Sequence, residues 1–174
     1  SKESFQQIFT FAENNSALAK NLYNAALFRI RQVFTGWNKT KRTDLEQLVF
    51  NELKRTESVY KSFNPRRVLS YAELEKIMRA TGNPDFFAGL PMQTAQHVLK
   101  DAVHDFKAWL DSLKKYKKDP SNYTGKPKMP GYCKSNHKTF TVTNQEAVIY
   151  PIVDKDGCIT GNELKLPGFK KKER

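Results

Sequence analysis

The sequence predicts an α+β chain, an N-terminal helical bundle followed by a small, incomplete antiparallel β unit. Three observations predict it. Apolar residues recur at helical spacing through the first two-thirds of the chain. Capping residues stand where those stripes begin, and after Pro120 the periodicity changes from helical to alternating.

The elements follow in order. Asn15 or Ser16 can cap a helix whose stripe is Leu18, Leu22, Ala26, Ile30 and Val33 and which ends near Gly36. Thr43 or Asp44 can cap a second, with Leu45, Leu48, Val49 and Leu53 inward and Glu46, Glu52, Lys54 and Arg55 on the polar face. Ser70-Tyr71-Ala72-Glu73 is a capping box; Leu74, Ile77 and Met78 follow it, and Gly82 supplies the stop. The strongest helix runs from Met92 to Lys118 between Pro91 and Pro120, with Ala95, Val98, Leu99, Ala102, Val103, Phe106, Trp109, Leu110 and Leu113 on a wide apolar face. Gly125, Pro127, Pro130 and Gly131 then exclude helix. HKTFTVT and AVIYPIV alternate as strands, Pro151 restricting the second to an edge or bulge. Asp156-Gly157 signals a hairpin turn, and NELKLPGF supplies a last strand with Leu164 and Leu166. The expected division is a helical domain over 1–118, a basic connector over 119–138 and a partial β domain over 139–174, with GFKKKER reading as a truncation point or linker.

Composition narrows the function. With 174 residues, 39% apolar and 28% charged, the chain can bury a core and is not a disordered tail. No run approaches the roughly 18 apolar residues of a membrane helix, and SKESFQQIFTF lacks the order of a signal peptide. Cys133 and Cys158 are too few for a disulfide framework or zinc site, so a reducing interior is the expectation. The net charge of +12 points to an anionic partner, most often nucleic acid. The excess is concentrated over 114–138, where Lys114, Lys115, Lys117, Lys118, Lys126, Lys128, Lys134 and Lys138 face a single acid, Asp119. Tyr116, Tyr123 and Tyr132 interleave with them; lysines suit phosphates and rings can stack on bases, although a solvated linker has the same composition.

No catalytic constellation is present. P-loop, GxGxxG, HExxH, CxxC and GxSxG motifs are absent, and the acids fall mostly on exposed helix faces beside Lys or Arg. His97 and His104 stand two turns apart, about 10 Å, too far to share a metal. Asp154 and Asp156 read as turn chemistry.

The ordered set AKNLYNAALFRIRQ, LSYAELEKIM, LPMQTAQHVLKDAVHDFKAWL, GKPKMPGY, FTVTNQ and LKLPGF, from Ala19 to Phe169, resembles the N-terminal half of TnpB-like proteins. These are transposon-encoded RNA-guided DNA nucleases related to type V CRISPR effectors. The resemblance implies a helical recognition domain and part of an oligonucleotide-binding wedge domain. It implies guide RNA, double-stranded DNA and RNA–DNA heteroduplex as partners, no membrane, and a cytoplasmic, nucleoid-associated location. The family's divalent-metal carboxylates and zinc module lie downstream, so this region is expected to hold no cofactor and to be non-catalytic alone. Two departures stand out: the family's opening wedge strand is lacking or replaced by SKESFQQIF, and the segment from Asn38 to Phe63 is longer than in compact relatives.

By position, the resemblance assigns DNA recognition to Tyr71, to Met92, Gln93 and Gln96 in the first turn of the long helix, and to Thr143 and Asn144. Gln and Asn amides can pair bidentately with adenine, a helix N-terminus favours phosphate, and Met92 offers an apolar contact to a thymine methyl. The eight lysines of 114–138 become backbone contacts. The rival readings are an RNA-independent DNA-binding transposon accessory protein or repressor, and a protein-interaction module with a basic surface.

Overall fold

The computed structural model describes residues 2–168. Four helices are followed by a two-stranded hairpin: α1 (Lys2–Gly36), α2 (Asp44–Val59), α3 (Tyr71–Ala80), α4 (Met92–Lys118), β1 (Val148–Val153) and β2 (Ile159–Lys165). The α+β class stands. Among the described residues no helix is long and apolar enough to cross a membrane.

α1 does not begin at Asn15 or Ser16. No Gly or Pro interrupts the residues before them, and both side chains turn back onto their own helix: Asn15 Nδ2 donates to the Phe11 carbonyl at 2.8 Å and Ser16 Oγ to the Glu13 carbonyl at 2.9 Å. The opening segment is thus helical from Lys2. Leu22, Ala26, Ile30 and Val33 form the buried stripe, whereas Phe5, Ile8 and Phe9 are exposed. α1 ends where α2 folds back on it. A side chain at Gly36 would meet the Phe50 ring at 3.0 Å and Glu46 Cβ at 3.2 Å, so a larger residue would make these side chains shift at the crossing.

α2 opens with a capping box on Thr43: the Glu46 N–H donates to Thr43 Oγ1 at 3.3 Å, and the Thr43 N–H donates to Glu46 Oε2 at 3.0 Å. This corrects the expected face. Val49 and Leu53 are buried, but Leu45 and Leu48 are exposed and Glu46 lies inward. Glu46 is drawn in because its carboxylate serves both the cap and Lys39, whose Nζ donates to Oε1 at 2.7 Å. Lys39, then the Thr43 N–H, holds the Glu46 carboxyl at about 2, against an ordinary 4.5. A value lowered by folding stabilises the fold fully above pH 4.5, and that contribution is lost as the pH falls toward 2. Glu46→Gln is therefore expected to lose about 1–3 kcal/mol at neutral pH. Urea midpoints of the two proteins should converge as the pH is lowered to about 3; a gap that stays constant would contradict the assignment. Arg29 adds a bidentate pair across the same helices, Nε and Nη2 donating to Glu52 at 2.8 and 2.7 Å.

α3 has its capping box at Ser70 and Glu73. Its far end is a Schellman stop: Gly82 takes φ 59°, its N–H donates to the Arg79 carbonyl at 3.1 Å, and the Asn83 N–H reaches the Met78 carbonyl at 2.9 Å. α4 spans its expected bounds and buries Ala95, Val98, Leu99, Ala102, Val103 and Phe106, with Trp109 and Leu110 partly buried beside them. The core lies where α1, α3 and α4 meet, and α2 closes it from the α1 and α3 side.

After α4, the segment expected to be a connector followed by a first strand is a clamped, extended strap. Trp109 Nε1 donates to the Pro127 carbonyl at 3.1 Å and Arg31 Nη1 to the Pro130 carbonyl at 3.4 Å. Asn24 grips both backbone groups of Cys133, at 2.8 and 3.1 Å, and the Lys138 N–H donates to the Ser16 carbonyl at 3.1 Å. Phe140 meets Phe11 edge-on, centroids 6.1 Å apart. The ten steps from Pro130 to Phe140 thus run beside the twenty steps from Arg31 back to Phe11, and the lengths agree: about 33 Å of extended chain against about 30 Å of helix. HKTFTVT is therefore extended but unpaired, and forms no strand.

The hairpin pairs Val148 with Lys165 and Ile152 with Gly161, with an irregularity at Val153 that leaves Val153 opposite Ile159. Its turn is held by Asp154 Oδ1, which accepts from the N–H groups of Asp156 at 3.0 Å and Cys158 at 2.8 Å, with Gly157 at φ 83°. Among the described residues, β1 and β2 pack on each other and on no helix. Leu166 follows the end of β2, and the rest of the expected tail, from Phe169, lies outside the described residues.

Candidate nucleic-acid interface

Three pieces distant in sequence converge: the start of α3, the first turn of α4, and the turn over 143–146. Tyr71 opens α3, and its hydroxyl donates to Glu75 Oε2 one turn on. Arg79, a further turn on, donates to Glu75 Oε1 through Nη2 at 2.7 Å, and Gln96 Nε2 donates to the same oxygen at 3.2 Å. Burial would raise the Glu75 carboxyl, but the hydrogen bonds from Tyr71, Arg79 and Gln96 outweigh it and the net shift is downward. Burial first, then the bond to Glu75, raises the Tyr71 phenol, so at neutral pH Tyr71 is a donor.

Pro91 gives α4 no side-chain cap, and Glu146 supplies one from 53 positions further along the chain. Its Oε1 accepts the Gln93 N–H at 2.8 Å and its Oε2 accepts Thr94 Oγ1 at 2.9 Å. Thr94 Oγ1 also reaches the Thr141 carbonyl at 3.0 Å. A carboxylate thus already occupies the helix N-terminus, correcting the expectation that it is open to phosphate. The Gln93 amide is likewise engaged: Nε2 donates to Gln145 Oε1, and Oε1 accepts from Thr143 Oγ1. An adenine edge would exchange these partners.

Of the six residues assigned to recognition, Tyr71, Met92 and Gln96 gather around Glu75 and Arg79, Met92 through a 3.6 Å contact from Arg79 Nη2 to its sulfur, whereas Gln93 and Thr143 belong to a second hydrogen-bonded group with Gln145, and α4 carries both groups. Asn144 is exposed on the adjoining turn. The sequence reading missed Glu75, Arg79, Gln145 and Glu146. Glu75 and Arg79 were accessible from their four-residue spacing to Tyr71 and to each other; Glu146 carries no local signal.

The lysines lie elsewhere. Lys114, Lys115, Lys117 and Lys118 are exposed at the end of α4, and Lys126, Lys128 and Lys134 are exposed on the strap. Lys138 is half-buried with its ammonium 4.2 Å from the Tyr23 ring centre, which leaves it least available to phosphate. Two of the interleaved rings, Tyr116 and Tyr123, pack edge to face on each other at 5.6 Å, whereas Tyr132 is exposed with the Arg31 guanidinium 4.9 Å over its ring. Among the described residues, no group of three His, Cys, Asp or Glu side chains could hold a metal ion.

Compared with protein-family models, with curated proteins and with solved structures, the chain matches none. Its own geometry describes a helical bundle carrying one polar surface at the start of α4 and a basic rim at its end.

Proposed function

We propose that this chain is the recognition and partial wedge region of a TnpB-like RNA-guided DNA endonuclease. It binds guide RNA, target-adjacent duplex DNA and the RNA–DNA heteroduplex, in the cytoplasm and at the nucleoid, and leaves cleavage to domains outside it. The observation that carries the reading is that Tyr71, Gln93, Gln96 and Thr143 gather in two adjoining hydrogen-bonded groups, one around Glu75 and one around Gln93, both carried by the start of α4 although 72 positions separate the first residue from the last. The amides supply the donor and acceptor pair that reads a base edge, and the lysines at the end of α4 and on the strap supply sequence-independent attraction.

The test is selection from a duplex DNA library with a randomised segment, by the wild type and by Gln93→Ala/Gln96→Ala. The wild type is expected to enrich particular bases. Because both amides give up internal partners on binding, each should contribute near the low end of about 1–3 kcal/mol, so the double variant loses roughly thirtyfold in discrimination while keeping its non-specific affinity. Absence of enrichment by the wild type, or enrichment unchanged in the variant, would overturn the reading.

A further inference from the structure

The outward face of α4 joins the two regions. Gln93, Lys100, Lys107 and Lys114 recur every seven residues, and His97, His104, Asp111 and Lys118 recur beside them in a second track. Seven residues make nearly two helical turns, so both tracks share one side of the rod. Lys100, His104, Lys107, Asp111, Lys114, Lys115 and Lys118 are all exposed, and the apolar stripe from Ala95 to Phe106 faces the opposite way. A solvated helix face usually mixes charges of both signs. This one carries a single acid, Asp111, spent on Lys114 at 3.4 Å. Of the two flanking acids, Asp105 accepts the Tyr23 hydroxyl on Oδ2 at 2.7 Å while its Oδ1 lies 3.7 Å from His104 Nδ1, and Asp101 adds its charge near Tyr23. Among the described residues, Lys107, Lys115 and Lys118 form no ion pair, and Lys100 lies 5.1 Å over the Tyr71 ring, at the edge of the polar surface itself.

We propose that this face is a docking surface for the sugar–phosphate backbone of one continuous B-form DNA duplex, with Lys100 and Lys107 as phosphate contacts between the base-reading surface and the lysines at the end of α4. The proposal rests on the reading given under Proposed function. Charge complementarity selects a polyanion. Length selects a duplex of about one turn: Gln93 to Lys118 spans about 38 Å of helix, against about 34–36 Å for a turn of B-DNA. Lysines at steps of about 10 Å then face a surface that carries a charge every ~1.7 Å of its axis.

The test measures binding of hairpin-closed DNA stems of about 6 and about 16 base pairs across a salt titration. The proteins are the wild type, Lys100→Gln/Lys107→Gln, and Lys41→Gln/Lys54→Gln. The last pair removes the same charge from the exposed surface at and before α2, which does not pack on α4. On the long stem, the Lys100/Lys107 variant is expected to lower the log–log salt slope by about 2, equally for all sequences, while the Lys41/Lys54 variant shifts it far less. On the short stem, which cannot span the face, the wild-type slope itself should be shallower. Equal slopes for the two variants, or a stronger response with an RNA–DNA heteroduplex or RNA stem than with DNA, would overturn the proposal while leaving base selection by Gln93 and Gln96 intact. Failure of the wild type to bind any stem would remove both.

Discussion

Phe106→Ala should be the most damaging single substitution, at about 3–5 kcal/mol. Phe106 is fully buried, with its ring 5.2 Å from those of both Phe34 and Trp109, so it joins α1 to α4. Edge-on packing of this kind adds to the loss from burial alone. The effect should spread beyond the core, because Trp109 also holds the strap through its bond to the Pro127 carbonyl. Against a typical total stability of about 5–15 kcal/mol, the loss takes a large fraction. Thermal denaturation should show it as a fall in Tm of roughly 6–20 °C for a chain of this size, with earlier exchange of strap amides. A loss below about 1 kcal/mol would mean that the site collapses around the vacancy and that these aromatics do not fasten the strap.

The second large effect is expected when the eight lysines of 114–138 are changed to Gln. Each phosphate neutralised contributes about 0.9 to the salt slope. Lys114 is partnered by Asp111 and Lys138 lies on the Tyr23 ring, so six to eight contacts are removed and the slope should fall by about 5 to 7. On the proposed function, affinity should drop for every nucleic acid alike, since phosphate contacts position the partner and carry no sequence information. Circular dichroism should be unchanged, because the strap is held by backbone groups that Trp109, Arg31 and Asn24 grip, and by none of the ammonium groups except that of Lys138. A slope that barely moves would place the attraction elsewhere on the chain.

What the sequence made legible was local. Thr43 and Ser70 announce their helices because a capping box is complete within four residues, and α4 is bounded by prolines at both ends. The errors have a common physical origin. Leu45 and Leu48 look like core by spacing, yet Glu46 displaces them because Lys39 and the Thr43 N–H require its carboxylate on the inner side. HKTFTVT alternates, but a period of two reports extended backbone and not its partner; here the partner is the side of α1. Asn15 and Ser16 have capping side chains with no helix to begin, since nothing upstream stops α1. At the site, the residues on α3 and α4 were placed by resemblance, whereas Glu146 escaped notice because its partner lies 53 positions away.

The most direct test of the central claim, that this chain is a nucleic-acid-binding region, is the salt dependence of its binding to duplex DNA beside structured RNA of equal length. The account predicts steep slopes, about −5 to −9 for six to ten phosphates on duplex DNA, with structured RNA bound as well. Weak binding to both with a slope near zero would contradict it, leaving the basic rim as a solvated surface.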